Sequence, residues 1–292
     1  MHINMKYYIV TISAIFIALG IGILVGFNLN YDQELSKQQA EVIDDLDKRF
    51  EALKETNEGL EIDLENLGSE YEEAIDVINK NIDKLIANQL IDENIGIIST
   101  NEKNDYTSDI EEIINNSQGK VAFNIVLNDI ISDKSTIKLV AEKTQREMNS
   151  TDEVINYILE TLNEENASSK LIELEEIGII KINELSNDYS KYNSVILAGG
   201  NNHKDREIQF DKIDKVLIPE LKQENKVIVG VQKRDTQISY TEKYKEEKIS
   251  TIDNIDEGVG SLALITILKD GDIVGNFGRL ESAQALLPIA NK

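Results

Sequence analysis

Cysteine and tryptophan are both absent from the 292 residues. Without a thiol there is neither a disulfide framework nor a thiolate metal site, and redox chemistry leaves no clue to the compartment. Only two His and three Met occur, so soft and borderline metal ligands are scarce. Positive charge is also short: 30 Lys and Arg stand against 54 Asp and Glu, a formal net charge of -24. A field of that sign repels phosphate backbones and anionic headgroups, which argues against a nucleic-acid partner.

What is present begins with a long apolar run. Tyr7 to Phe27 carries no charge, and its polar interruptions, Thr11 and Ser13, can bond back to their own helix. At helical rise the run covers roughly 30 Å, the thickness of a bilayer core. A secretory signal would have an apolar core of about 7 to 15 residues and an Ala-x-Ala-like site, and no such site precedes Tyr31. The reading is a single-pass anchor over 7–27 after a short cytoplasmic segment, 1–6. Lys6 before it and Asp32 and Glu34 after it place the bulk of the chain outside the cytoplasmic membrane. Ala14, Ala18, Gly22 and Gly26 recur every fourth residue, a strip of small side chains that lets a second helix approach closely. The partner span is either a second copy or another membrane protein.

From 32 to 90 the chain is charged, free of proline over its helical stretch, and periodic. Phe50, Asn57, Leu64 and Tyr71 fall at heptad position a, and Leu46, Leu53, Leu60 and Leu67 at position d. Leu at every d favours two strands, and a polar Asn at a fixes register. The expectation is a parallel dimeric coiled-coil stalk, with a helical hairpin packed on the globular part as the alternative. After Tyr71 the phase slips toward Ile75, Ile78, Ile82 and Leu85, as a stutter would make it.

The remainder, 94–292, alternates β-branched runs with helical windows. Strands are predicted at 94–99, 120–127, 177–182, 194–199 and 226–232, and helices at 107–116, 135–148, 152–162, 208–224 and 258–269. Apolar strands alternating with helices predict an α/β domain with a doubly wound, mainly parallel sheet. Three stretches invite a chemical reading. "AGGNNH", 198–203, follows a strand where such sheets bind ligands, yet a loop using glycine freedom weighs more, and His203 has no nucleophile beside it. "GVGSLA", 258–263, opens a helix but lacks an acidic residue at the spacing a dinucleotide site needs, so it reads as a helix start with tight packing. The acidic runs between 164 and 176 lack calcium-loop spacing and read as solvated. No catalytic, cofactor-binding or metal-ligating residue is assigned, and the chain is expected to be non-enzymatic.

Several stretches in order, "MKYYIVTISAIFIALGIGILVG", "DQELSKQQAEVIDDLDKRFEALKETNEGL", "ISTIDNIDEGVGSLALITIL" and "GNFGRLESAQALLP", resemble the MctB-like family of bacterial envelope proteins. The resemblance implies two roles: limiting intracellular copper at the envelope, and acting with a membrane partner on peptidoglycan hydrolysis when daughter cells separate. It implies no catalytic residue set, and copper is the only cofactor it brings. The sequence itself supplies few copper ligands, since His2 precedes the span and only Met148 and His203 follow it. The expectation is a membrane-anchored interaction protein that dimerises with itself and engages an envelope partner, with copper handling, or an α/β domain that binds a ligand through the glycine loops near Gly199 and Gly258, as the alternatives.

Overall fold

The computed structural model describes residues 5–202 and 209–288. The chain divides into two compact units, 1–72 and 73–292. The first is formed by most of helix α1, Met5–Ile86. Its segment Met5–Asn28 has a mean hydropathy of 2.6 and is long and apolar enough to cross a membrane. Thr11 Oγ1 donates to the Tyr7 carbonyl at 2.6 Å, so its hydroxyl is satisfied within the helix. Further along, Lys48 and Arg49 pair with Asp44 and Asp45 at 2.6 and 2.8 Å, i,i+4 contacts each worth a few tenths of a kcal/mol.

The second unit starts within the last turns of α1. The apolar phase change after Tyr71, expected as a stutter, coincides with this boundary: Ile75 and Ile86 are buried. Then follow β1 (Asn94–Ser99), α2 (Thr107–Asn116), β2 (Lys120–Leu127), α3 (Lys134–Thr144), α4 (Thr151–Asn163), α5 (Ser168–Ile177) and β3 (Ile180–Leu185). After these come β4 (Ser194–Ala198), α6 (Gln209–Lys212), α7 (Asp214–Gln223), β5 (Val227–Val231), α8 (Thr241–Glu246), β6 (Ser250–Ile252), α9 (Gly258–Asp270) and β7 (Asn276–Phe277). The seven strands form one sheet in the order β3-β2-β1-β4-β5-β6-β7.

Both faces of the sheet are covered, which is why its strands read as unbroken apolar runs. Ile95, Ile97, Ile196 and Val229 pack with Ile86, Ile110 and Ile114 and with Leu264 of α9 on one side. Ile98, Phe123, Val195 and Leu197 pack with Ile155, Leu217 and Tyr244 on the other. Each such side chain contributes about 1.5 to 3 kcal/mol relative to exposure. Ser150 caps α4 with a full capping box to Glu153.

The sheet is mixed: β3 runs antiparallel to β2, whereas the other strand pairings are parallel. The cause is connection length. A parallel neighbour needs a crossover of about a dozen residues or more, and only a short loop separates Leu185 from Ser194. The antiparallel direction lets that loop pass along one edge of the sheet. The strand is also displaced from the expected 177–182, because Gly178 ends α5 at φ +88°, a helix stop that L side chains disfavour.

Candidate functional site

The chain builds outward from β1 through β2 to β3, then from β4 toward β7 on the other side. Strand order therefore reverses between β1 and β4, and in open α/β sheets ligands bind beyond the strand ends at such a point. Here those ends hold a buried polar cluster. Tyr106, preceding α2, brings its hydroxyl within 2.9 Å of the Gly199 carbonyl and 2.8 Å of the Val231 carbonyl. Asn101 Nδ2 donates to the Gly200 carbonyl at 2.8 Å. Gly200 adopts φ +77°, and a side chain at Gly199 would strike the Tyr244 hydroxyl. The glycines serve close approach and a left-handed turn.

Asp214, the first residue of α7, is completely buried beneath this loop. Its Oδ1 accepts from Tyr244 at 2.5 Å and from Thr100 Oγ1 at 3.2 Å, while Oδ2 has no hydrogen-bond partner. Burial pushes the carboxyl up to about 7, against the opposing hydrogen bonds from Tyr244 and Thr100. The Tyr106 and Tyr244 hydroxyls are raised well above the ordinary phenol value, first by burial and then by the Asp214 charge. Phe210, Tyr240 and Tyr244 stack edge to face around the same point. Burial thus brings the titration of this acid near neutrality, and the Tyr106 and Tyr244 hydroxyls are committed to internal acceptors, while the Tyr240 hydroxyl has no hydrogen-bond partner.

A second network closes the ends of β6 and β7. The Asp253 carboxylate accepts from the backbone N–H groups of Arg279 and Leu280 at 2.8 and 3.0 Å. Glu257, beside the start of α9, accepts from Arg279 Nε at 2.7 Å, Arg234 Nη1 at 2.8 Å and Asn254 Nδ2 at 2.9 Å. Burial would raise the Glu257 carboxyl, but the hydrogen bonds from Asn254 and Arg279 and the Arg279 charge hold it below its usual value. The glycines of "GVGSLA" are packing contacts, as expected. A Cβ at Gly258 would lie 2.8 Å from Asn79 Oδ1, and one at Gly260 would meet the Asn254 carbonyl.

The residues singled out in the sequence lie elsewhere. Ala14, Ala18, Gly22 and Gly26 sit on the apolar helix, with nothing within 4 Å of a Cβ at either glycine. Leu46, Phe50, Leu53, Leu60, Leu64, Leu67 and Tyr71 are all exposed along α1, as is Asn57. His203 lies outside the described residues. Met148 is buried in the core, so its thioether is not presented to a surface ion. In the acidic stretch, Glu164 pairs with Lys170 at 2.5 Å and Glu175 accepts from the Ile182 amide at 2.8 Å. Among the described residues no group of three or more His, Cys, Asp or Glu is placed to hold a metal. Tyr106, Asp214 and Tyr244 carry no local motif; only their separation into three elements that converge on one strand end brings them together.

An α/β domain in a chain that also carries one membrane-length apolar helix fits a membrane-anchored protein. The family model described as "Copper transport outer membrane protein, MctB" matches residues 2–288. The chain belongs to the MctB family, a family of copper-transport-related envelope proteins. No curated protein matches it.

Proposed function

We propose that this protein is a non-enzymatic interaction protein of the cell envelope, held in the cytoplasmic membrane by Met5–Asn28 with its α/β domain outside. It works as a parallel dimer joined through Leu46, Phe50, Leu53, Asn57, Leu60, Leu64, Leu67 and Tyr71. The observation that carries this reading is the exposure of those apolar heptad residues on a single helix: Leu53 is 63 % and Leu64 67 % exposed. A lone helix leaves that surface in water, and a two-stranded coil removes it. The Ala14, Ala18, Gly22, Gly26 strip serves a second span within the bilayer. The non-enzymatic reading rests on the strand-end cluster, where the Tyr106 and Tyr244 hydroxyls are bound internally.

Through a membrane partner, the dimer acts on the control of peptidoglycan hydrolysis at cell separation. Cell-chain length in a deletion strain without added copper tests this. Chains of unseparated cells, restored by the intact gene but not by one lacking 32–72, support the reading, and normal separation overturns it.

The second reading is copper handling, favoured by the description of the family. Among the described residues it has no resident copper site to work through, because Met148 is buried and thiols are absent. Calorimetry of the purified chain with Cu(I) and with Cu(II) decides whether direct binding occurs. Saturable heat would replace the indirect version with a direct one.

A further inference from the structure

The second unit carries a cleft of about 460 Å3, walled by the last turns of α1, by α2 and by the loop that leads into α9. Its floor is aliphatic. Ile86 and Ile255 are buried there, and Ile82 and Ile113 are half-buried beside them. The rim is acidic: Asp83, Asp109, Glu112, Asp256 and Glu257 line the cleft, and among the described residues no Lys, Arg or His does.

Two of the five carboxylates are neutralised in place. Asp109 pairs with Lys233 at 2.7 Å, and Glu257 pairs with Arg234 and Arg279 at 2.8 and 2.7 Å. Asp83 Oδ1 accepts only from the neutral Asn116 amide at 3.1 Å, and Asp256 Oδ1 from the Arg234 backbone N–H at 2.9 Å. Glu112 is exposed. Among the described residues none of Asp83, Glu112 and Asp256 forms an ion pair. The start of α9 contributes about half a positive charge, too little to offset three carboxylates. An occupant of this cleft is therefore cationic at the rim and apolar at the floor. Neither an anionic headgroup nor a second copy of a chain with net charge -24 meets that description.

We propose that this cleft docks a basic, partly apolar segment of a partner protein, whose aliphatic side chains cover the isoleucines while its Lys or Arg side chains reach Asp83, Glu112 and Asp256. Lysine and arginine suit both parts of the cleft, because their methylene stems cover apolar surface while the charged heads stay at the wet rim. Rim charges steer the encounter and select the partner; covering the floor supplies the holding energy. The docking site gives a chemistry to the envelope partner of the proposed function, and it rests on that reading only for its place in the cell. Its residues are distinct from the heptad set, so the two are tested apart.

The test is fluorescence anisotropy of a short labelled peptide of alternating leucine and lysine, titrated with the full chain in uncharged detergent, with empty micelles as the blank. Saturable binding is expected. Asp83→Asn combined with Glu112→Gln and Asp256→Asn is expected to weaken it about tenfold, the joint effect of three exposed ion pairs. A charge-matched control, Glu142→Gln with Glu165→Gln and Glu246→Gln, all exposed and outside the cleft, is expected to stay within about twofold of the native chain. A peptide with serine in place of leucine is expected to bind the native chain more weakly, because it leaves the floor uncovered. Circular dichroism confirms folding, and a cleft variant that fails to fold is replaced by Glu112→Lys, which reverses one exposed charge. Absence of saturable binding by the native chain overturns the proposal, as does equal weakening in the cleft and control variants, the mark of diffuse attraction. A change of oligomeric state in the cleft variant also overturns it and gives the cleft to a second copy. Cell-chain length in the deletion strain reports on the proposed function whatever the peptide does.

Discussion

The Tyr244 hydroxyl stands 2.5 Å from Asp214 Oδ1, a phenol donating to a completely buried carboxyl. Burial raises Asp214 from 3.8 to about 7. The folded chain therefore keeps this proton to higher pH than the unfolded chain does. The associated stability is fully present below pH 3.8 and is lost as pH climbs toward 7, a span worth about 4 kcal/mol. Asp214→Asn keeps an acceptor for Tyr244 and cannot ionise. Thermal melts from pH 4 to 8 are expected to lose most of that slope in the variant, and an undiminished slope would assign the pH dependence elsewhere.

Tyr106→Phe removes the one donor shared between the Gly199 and Val231 carbonyls. Val231 also accepts from the Gly199 N–H at 2.9 Å, so the Gly199 carbonyl carries most of the effect, and a loss of about 1 to 2 kcal/mol is expected in denaturant unfolding. Loss below a few tenths would mean those carbonyls find other donors.

Two glycine substitutions have opposite signs. Gly260→Ala drives a methyl group into the Asn254 backbone carbonyl, which has no rotamer to yield, and costs about 3 kcal/mol. Gly59→Ala has nothing within 4 Å and gains about 1 kcal/mol of helix stability. Melting temperatures of the two variants check both.

Arg279→Ala removes the charge-assisted bond to Glu257, at a cost of about 1.5 to 3 kcal/mol near pH 7. Since Glu257 is held below its ordinary value of 4.5, the stability it carries is present above 4.5 and lost as pH falls through the lowered folded value. The gap between variant and native chain is expected to narrow in that acid window. A constant gap from pH 7 to 3 contradicts the pairing.

For the heptad surface, Leu53→Lys with Leu60→Lys places charge at two d positions. Analytical ultracentrifugation in detergent is expected to report a dimer for the native chain and a monomer for the double variant. A native monomer removes the stalk dimer from the proposed function.

The sequence made the α/β alternation legible because sheet strands covered on both faces have an unmistakable composition, and α2 falls where its period predicts, at Thr107–Asn116. The run "IGIIKI" misled by its own logic. It contains the end of one helix, a left-handed glycine and the start of a strand, and β-branched content does not separate the three. Helix α5 was hidden by its charge, since only Leu171 and Leu174 are buried in it. The strands β6 and β7 are too short to show a period. At the strand ends, the 198–202 loop was visible as a loop, but Tyr106, Asp214 and Tyr244 converge only through the topology. No spacing rule connects residues so far apart.

Edge strand β3 carries a β-bulge at Asn183, where its pairing with β2 passes from Asn124↔Glu184 to Ile125↔Ile182. An open strand is a template on which another chain can zip, and molecules tethered to one membrane meet edge to edge far more often than in free solution. Here β3 is kinked and bears Lys181 and Glu184. At the far margin the two residues of β7 are covered by the tail, where Gln284 donates to the Asn276 carbonyl at 2.8 Å and Gly278 to that of Ala285 at 3.0 Å. The bulge and charges on β3 and the tail over β7 both work against strand exchange between crowded neighbours.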